Sequence, residues 1–364
     1  MSSLFIYYSA FIITIIFLYF GYKRPIIIHK CNRLIKSSDI NNDTIRIIIS
    51  LIPIIYLLTN RYMVGTDYIH YERMYYDYVK YSYINFEYGL VVLFKLSDMI
   101  GLGFKGFLFF SVLLGPVLSI VAINRQCNCR FFPIAVFTYL IIYFGPACNI
   151  IAQVIAISFV ILAYEQMLKR NWKFSIILSI LGCFFHFASI IVIPVYWAYN
   201  LEGRTRVKFI SIISIIIAGF FTLNPSLLSR LLIGIGLNRY SNYAQYEKIK
   251  TFSYLLLYRT PLILMELIFY RRLIFRSKNN QFYFFLVILE IASFVLGIGI
   301  SWAGRLAYFF SIAHIFLVVK ILEVTRDSRI RIIISILINF YLVFVFYMMY
   351  FFSEFDGITV YQFA

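Results

Sequence analysis

The stretch Arg61-Tyr62-Met63-Val64-Gly65-Thr66-Asp67-Tyr68-Ile69-His70-Tyr71 gathers a guanidinium, a glycine, a carboxylate, an imidazole and three tyrosines between apolar runs. Ile45 to Leu58 precedes it, and Gly106 to Ile123 follows once the polar, tyrosine-rich region 60–105 has ended. The chain is 62% hydrophobic and 13% charged, with a mean hydropathy of +0.85, whereas a soluble domain carries about a quarter charged residues. Its apolar runs are therefore membrane spans, and the fold class is an all-α, polytopic integral membrane protein. Each crossing of a hydrocarbon core of about 30 Å takes roughly 20 helical residues. The 364 residues then accommodate about 10 full transmembrane helices plus one broken or re-entrant helix pair. The expectation is a single membrane domain over 1–364 with two large outer loops, about 60–105 and 224–251.

Charge placement orients these spans. The net charge of +17 could point to nucleic acid, but Lys and Arg sit in short clusters between apolar runs, as the positive-inside rule requires. Topology and contact with anionic membrane lipid account for most of them, and a few remain for an anionic substrate. No basic stripe argues for a nucleic-acid partner. Leu4 to Tyr22 reads as a retained first span, since Met1-Ser2-Ser3 offers no basic n-region and no small-residue cleavage site follows. Its end at Lys23-Arg24 places the next linker inside and Arg61 to Tyr71 at the outer face. Within that outer region, Tyr88 to Ile100 has apolar residues at helical spacing but is too short to cross, and reads as an amphipathic interfacial helix.

Further spans follow at Gly106–Ile123, Phe131–Phe144, Asn149–Met167, Phe209–Leu223, Phe252–Tyr270, Phe282–Gly297, Arg305–Leu322 and Ile332–Phe352. The run Phe174 to Tyr199 has positive clusters at both ends and cannot make two full crossings. It reads as two short helices broken near Cys183-Phe184-Phe185-His186, an arrangement tolerated where protein buries it. The five cysteines are scattered, and Cys127-Asn128-Cys129 has no partner pair at metal-site spacing. No aspartate pair, phosphate-binding glycine loop or nucleophile elbow is present, so no metal and no cofactor is expected.

Ionisable residues at membrane depth are costly, roughly 2.5–3.5 kcal/mol on insertion scales, and mark function by default. The outer-side candidates are Arg61, Asp67, His70, Arg73, Glu87, Arg239, Arg259 and Arg305, with His186 and Gln153 deeper. Guanidinium forks bind phosphate oxygens in pairs, so several Arg at outer ends suit a diphosphate; each could equally snorkel to lipid headgroups. Asp67, after Gly65-Thr66, is either an Asx-turn residue or a base and sugar-hydroxyl acceptor. His186 is either a general base or a neutral histidine satisfied in the helix break. Gln153 either binds saccharide or bridges helices. Tyr68, Tyr71, Tyr240 and Tyr243 stand out from the other tyrosines by loop context alone, as faces for sugar. Glu290, mid-span, favours a transporter, unless Arg305 or another helix's cation pairs with it; His314 is similarly open.

Five blocks in order carry a resemblance. Arg61-x-x-x-Gly65-Thr66-Asp67-Tyr68-x-x-Tyr71, Glu87-Tyr88-Gly89, Asn149-x-x-x-Gln153-x-x-Ala156, Phe185-His186-Phe187-Ala188-Ser189 and Arg305-x-x-Tyr308-Phe309 resemble the EpsG family of bacterial exopolysaccharide proteins, which are Wzy-like polymerases. The resemblance implies a glycosyltransferase of the bacterial cytoplasmic membrane. It would join undecaprenyl-diphosphate-linked oligosaccharides into capsular polysaccharide, exopolysaccharide or O-antigen at the outer face, alongside other polysaccharide-assembly proteins. It further implies that Arg61 and Arg305 hold diphosphate, that His186 or Asp67 activates the acceptor hydroxyl, and that Tyr240 lines the sugar path. The catalytic set is then His186, Asp67 and Arg305, with Arg61, Tyr68, Tyr71, Glu87, Gln153, Arg239, Tyr240, Tyr243 and Arg259 binding substrate. One departure stands out: where the family usually shows Arg before the Gln, this chain has Ala152. The other readings are a lipid-linked oligosaccharide flippase and a non-catalytic assembly partner. Cations gathered at outer ends, without internal repeats, favour the enzyme.

Overall fold

The computed structural model describes residues 3–21, 37–82, 87–127, 129–200, 251–277, 279–299 and 304–364, with short pieces between 213 and 230. The described residues are helical, joined by turns and one isolated antiparallel bridge between Arg61 and Phe363. Seven helices are long and apolar enough to cross a membrane, which makes this a multi-pass all-α membrane protein. The chain divides into two compact units, Met1–Ile190 with Ile333–Ala364 and Ile191–Ile332.

Unit 1 begins with α1 (Ser3–Gly21), α2 (Ser37–Ser50) and α3 (Ile52–Thr59). The expected span over Ile45–Leu58 is thus two helices meeting at Leu51. Pro53, in the first turn of α3, has no N–H to continue a ladder from α2. The outer region supplies α4 (Tyr68–Tyr81) and α5 (Tyr88–Met99), the latter where the interfacial helix was expected. Next comes α6 (Gly103–Asn124), which widens to a π-turn at Leu113–Val117 around Pro116. A proline inside a helix breaks the regular ladder, and Ser158 Oγ donates to the bulge carbonyl of Leu114 at 2.6 Å.

Helices α7 (Phe132–Asn149) and α8 (Ile151–Leu168) follow, linked by Ile150 alone. The helix runs past Gly145-Pro146, where an outer turn was expected, because Pro146 falls in its last turns and removes little of the ladder. α7 is 94% buried, against 28% for α1, so it is the axis of unit 1, packed by α1, α6, α8 and the chain's C-terminal turn. The break in 174–199 is present: α9 (Trp172–Cys183) stops, Phe184 to His186 turn, and a 3-10 segment, Phe187–Ile191, leads into α10 (Val192–Asn200). Gly89 lies under that turn, its N–H donating to Phe184 O at 2.8 Å.

In unit 2, α11 (Thr251–Arg276) and α12 (Asn280–Gly299) form a hairpin pinned by Asn280 Nδ2 donating to Leu273 O at 2.7 Å, and α13 (Ala307–Val324) packs on both. The last helix, α14 (Ser328–Tyr347), belongs to unit 1 from Ile333 onward and ends in a second π-turn at Met348–Phe352.

A methyl group on Gly89 would lie 2.6 Å from Phe185 Cδ1 and 2.8 Å from Phe184 O. Gly89→Ala should therefore destabilise unit 1 by about 1–3 kcal/mol, read as a lower melting temperature in lipid nanodiscs. An unchanged melt would mean that the turn at Phe184 does not rest on Gly89.

Candidate functional site

The Arg61–Asp67 segment leaves α3 with its guanidinium turned inward. Arg61 is 1% exposed. One of its terminal nitrogens, Nη1, donates to Leu58 O at 3.2 Å and Ala147 O at 3.3 Å, and the other, Nη2, to Cys148 O at 3.3 Å. These carbonyls belong to the last turns of α3 and α7, where helices leave acceptors unpaired and carry partial negative charge. Arg61 therefore joins two helix ends. The guanidinium expected to hold diphosphate thus presents no solvent-exposed face here.

Beyond Arg61 the chain is fastened on two sides. The C-terminal residues lie along one: Tyr62 N–H donates to Gln362 O at 2.8 Å, Ala364 N–H to Asn60 O at 2.8 Å, Gly65 N–H to Gly357 O at 3.1 Å and Thr66 N–H to Asp356 O at 3.3 Å. Asn149, the last residue of α7, holds the other. Its Oδ1 accepts from Thr66 Oγ1 at 2.9 Å and Asp67 N–H at 3.2 Å. Its Nδ2 donates to Asp356 O at 2.8 Å and Gly145 O at 3.2 Å. One amide thus ties together the loop, the helix and the C-terminal turn. Gly65 has φ +100°, and a Cβ there would stand 2.7 Å from Cys148 O, so no other residue fits.

This frame presents Asp67 at the N-terminus of α4. Its side chain makes no capping bond; a Thr66 hydroxyl contact at 3.4 Å is the one hydrogen bond it receives within the loop. Of the two readings for Asp67, the Asx turn is not what the geometry displays. Asp67, His70 and Arg73 recur every third residue, so they neighbour one another on α4, with His70 and Arg73 exposed.

The opposite face of α4 is apolar. Tyr68, Tyr71 and Tyr75, spaced as a buried stripe, enter a cluster with Leu90, Phe94, Phe104, Phe107, Ile151 and Ala152. Tyr68 meets Phe104 edge-on at 5.3 Å. Burial pushes its hydroxyl up to about 12, so Tyr68 is no base. Tyr71 accepts the Ala152 N–H at 3.4 Å. Both are buried, whereas Tyr62, Tyr76, Tyr81 and Tyr88 are exposed. Ala152 itself is packed in this cluster, so the cation usual in the family has no counterpart at that place.

Phe185 packs against the same cluster, which seats the His186 turn beside α5. His186 is half-buried, and its Nδ1 accepts the Ala188 N–H at 3.3 Å. With Nδ1 engaged as an acceptor, Nε2 carries the proton of the neutral ring. Glu87 stands half-buried at the N-terminus of α5, with no capping bond from its side chain. Gln153 is buried in the first turn of α8.

In unit 2, Arg305 is exposed. Arg259, expected as an outer-face ligand, is 3% exposed, and its Nε stands 3.8 Å from Glu290 Oε1. Glu290 does have a cation from another helix, as one reading allowed, and that cation is Arg259. Glu266 also joins this buried group; its position inside the apolar run Leu262 to Phe269 was the signal for it. Arg239, Tyr240 and Tyr243 lie outside the described residues.

A family model for the EpsG family matches residues 44–363, nearly the whole chain and all five blocks. The chain belongs to the EpsG family. EpsG membership makes it a polymerase-like membrane protein connected with exopolysaccharide. No curated protein and no solved structure matches the chain.

Asn149→Leu would strand the Asp67 N–H and take one partner each from the Thr66 hydroxyl and the Asp356 carbonyl. We expect a loss of about 3 kcal/mol and faster amide hydrogen exchange at residues 65–67 and 354–357. Exchange confined to one of these segments would contradict the shared fastening.

Proposed function

We propose that this EpsG protein joins oligosaccharide repeat units carried on undecaprenyl diphosphate, at the outer face of a bacterial cytoplasmic membrane. The observation that carries the reading is a carboxylate, Asp67, held at a helix N-terminus by a frame that leaves its side chain uncapped. The acceptor hydroxyl oxygen attacks the anomeric carbon of the donor sugar. The bond from that carbon to the diphosphate oxygen breaks, and the lipid diphosphate leaves with the electron pair. The hydroxyl proton passes to Asp67 or, once the Ala188 N–H contact on Nδ1 is given up, to His186.

The diphosphate calls for exposed, permanent positive charge. Arg61 is buried, whereas Arg73, in the same unit as Asp67, is exposed. Arg73, one of the outer-side candidates named from sequence, lies on the helix that Asp67 precedes. The reaction as written needs no metal. Capsule, free exopolysaccharide and O-antigen are products of the same bond formation, and the repeat unit decides between them.

A transporter of the lipid-linked unit is the second reading, favoured by the ionisable group inside unit 2. The two part in a strain lacking the gene: a polymerase defect leaves single repeat units on lipid at the outer face, a transport defect leaves them inside.

Asp67→Asn and His186→Ala, each at unchanged protein level, should be compared by chain-length ladders of the surface polysaccharide. The residue that serves as base should cost about 10²–10⁴-fold in rate, collapsing the ladder to single units. Normal ladders in both variants would remove the site.

A further inference from the structure

Arg259, Glu266, Glu290, Ser311 and His314 take no part in the chemistry proposed above, yet all are at most 3% exposed. Arg259 and Glu266 lie two turns apart on one face of α11, and Ser311 and His314 one turn apart on α13. Both pairs converge with Glu290 of α12. His314 Nδ1 is 2.7 Å from Glu266 Oε1, and its Nε2 is bonded to Glu290 Oε2. Ser311 Oγ donates to Glu290 Oε1 at 2.5 Å.

The contacts dictate the number of protons. A carboxylate oxygen and an unprotonated ring nitrogen are both acceptors, so each of the two His314 contacts holds a proton. A neutral imidazole supplies one. The second proton sits on the ring, making an imidazolium, or on one of the carboxyls. In either case the imidazole and two carboxyl groups sum to one negative charge, which the Arg259 guanidinium cancels. Take that proton away and the group carries a net negative charge, with a ring nitrogen facing a carboxylate across a bare contact. At membrane depth no water is at hand to relieve either.

We propose that Glu266, His314 and Glu290, balanced by Arg259, form a proton-binding site within the membrane interior of unit 2, and that the bound proton joins α11, α12 and α13 there. The ligand is the proton rather than a metal cation, because the imidazole stands between the carboxylates. Among the described residues no group of three His, Cys, Asp or Glu side chains is arranged so that it could hold a metal ion. Glu290 is the anchored member, engaged by Ser311, His314 and Arg259. Glu266 is engaged by His314 through Oε1, while its Oε2 is bonded to no described residue. Glu266 is therefore the end at which the proton is exchanged. The titratable and charged groups facing His314 from the helices packed around it are Glu266 and Glu290, with Arg259 behind them. This inference does not rest on the polymerase reading and holds for a transporter as well.

The test uses the full-length protein in lipid nanodiscs. With ¹⁵N-histidine labelling, the four histidines give separate ring signals, and His314→Gln identifies one of them. At pH 8, His314 should remain an imidazolium, or be neutral alongside an infrared carbonyl band of a protonated carboxyl that Glu266→Gln or Glu290→Gln removes. A neutral His314 with no such band would overturn the proposal. Charge balance gives a second measure. Arg259→Met and Glu290→Gln should each lower the melting temperature by about 10 °C, and the double variant should recover at least half of the summed loss. Additive losses would overturn the balance; if a variant fails to fold, the spectra of the unaltered protein decide.

Discussion

The Arg61 guanidinium closes two helices at once. α3 and α7 both end in carbonyls with no donor of their own, and the fork reaches the last turn of each. That union sets where the next residues can go. Gly65 must pass against Cys148 in a left-handed conformation, which brings Thr66 and Asp67 to the Asn149 amide. The C-terminal residues complete the arrangement from the other side through Asp356 and Gly357. The position of Asp67 therefore depends on contacts from parts of the chain nearly 300 residues apart.

The two units keep buried guanidinium groups by different means. Arg61 is met by carbonyl dipoles, which engage both its terminal nitrogens without a partner able to change protonation. Arg259 is met by a carboxylate that is itself bonded to an imidazole. The first arrangement is indifferent to protons and suits a rigid frame. The second depends on them. Buried ion pairs add little net stability, so a group of this size inside unit 2 speaks for a task rather than for strength.

Much of the fold was legible because apolar run length and positive clusters report membrane spans directly. The short helix α5 and the break at Phe184–His186 followed from lengths too short to cross. What escaped were consequences of backbone geometry. Pro53 divides one expected span, while Pro146, near a helix end, does not stop α7. At the site, residue type was informative and direction was not. Arg61 and Tyr68 have the chemistry of ligands, yet both point inward. The spacing of Tyr68, Tyr71 and Tyr75 already marked a buried stripe, whereas nothing local tells that Arg61 faces two helix ends from distant parts of the chain. Asn149 was visible as a motif residue, but its task as the knot between loop and C-terminus requires knowing that Asp356 returns to it.

On the function proposed above, this protein itself forms the glycosidic bond, with Asp67 in its strapped loop at the reacting centre. The most direct measurement places purified protein in liposomes with diphosphate-linked repeat units and follows both polymer length and released lipid diphosphate. The account predicts long chains with one lipid diphosphate freed for each bond formed, and sharply less of both with Asp67→Asn. Repeat units that stay single, with no lipid diphosphate released, would contradict it.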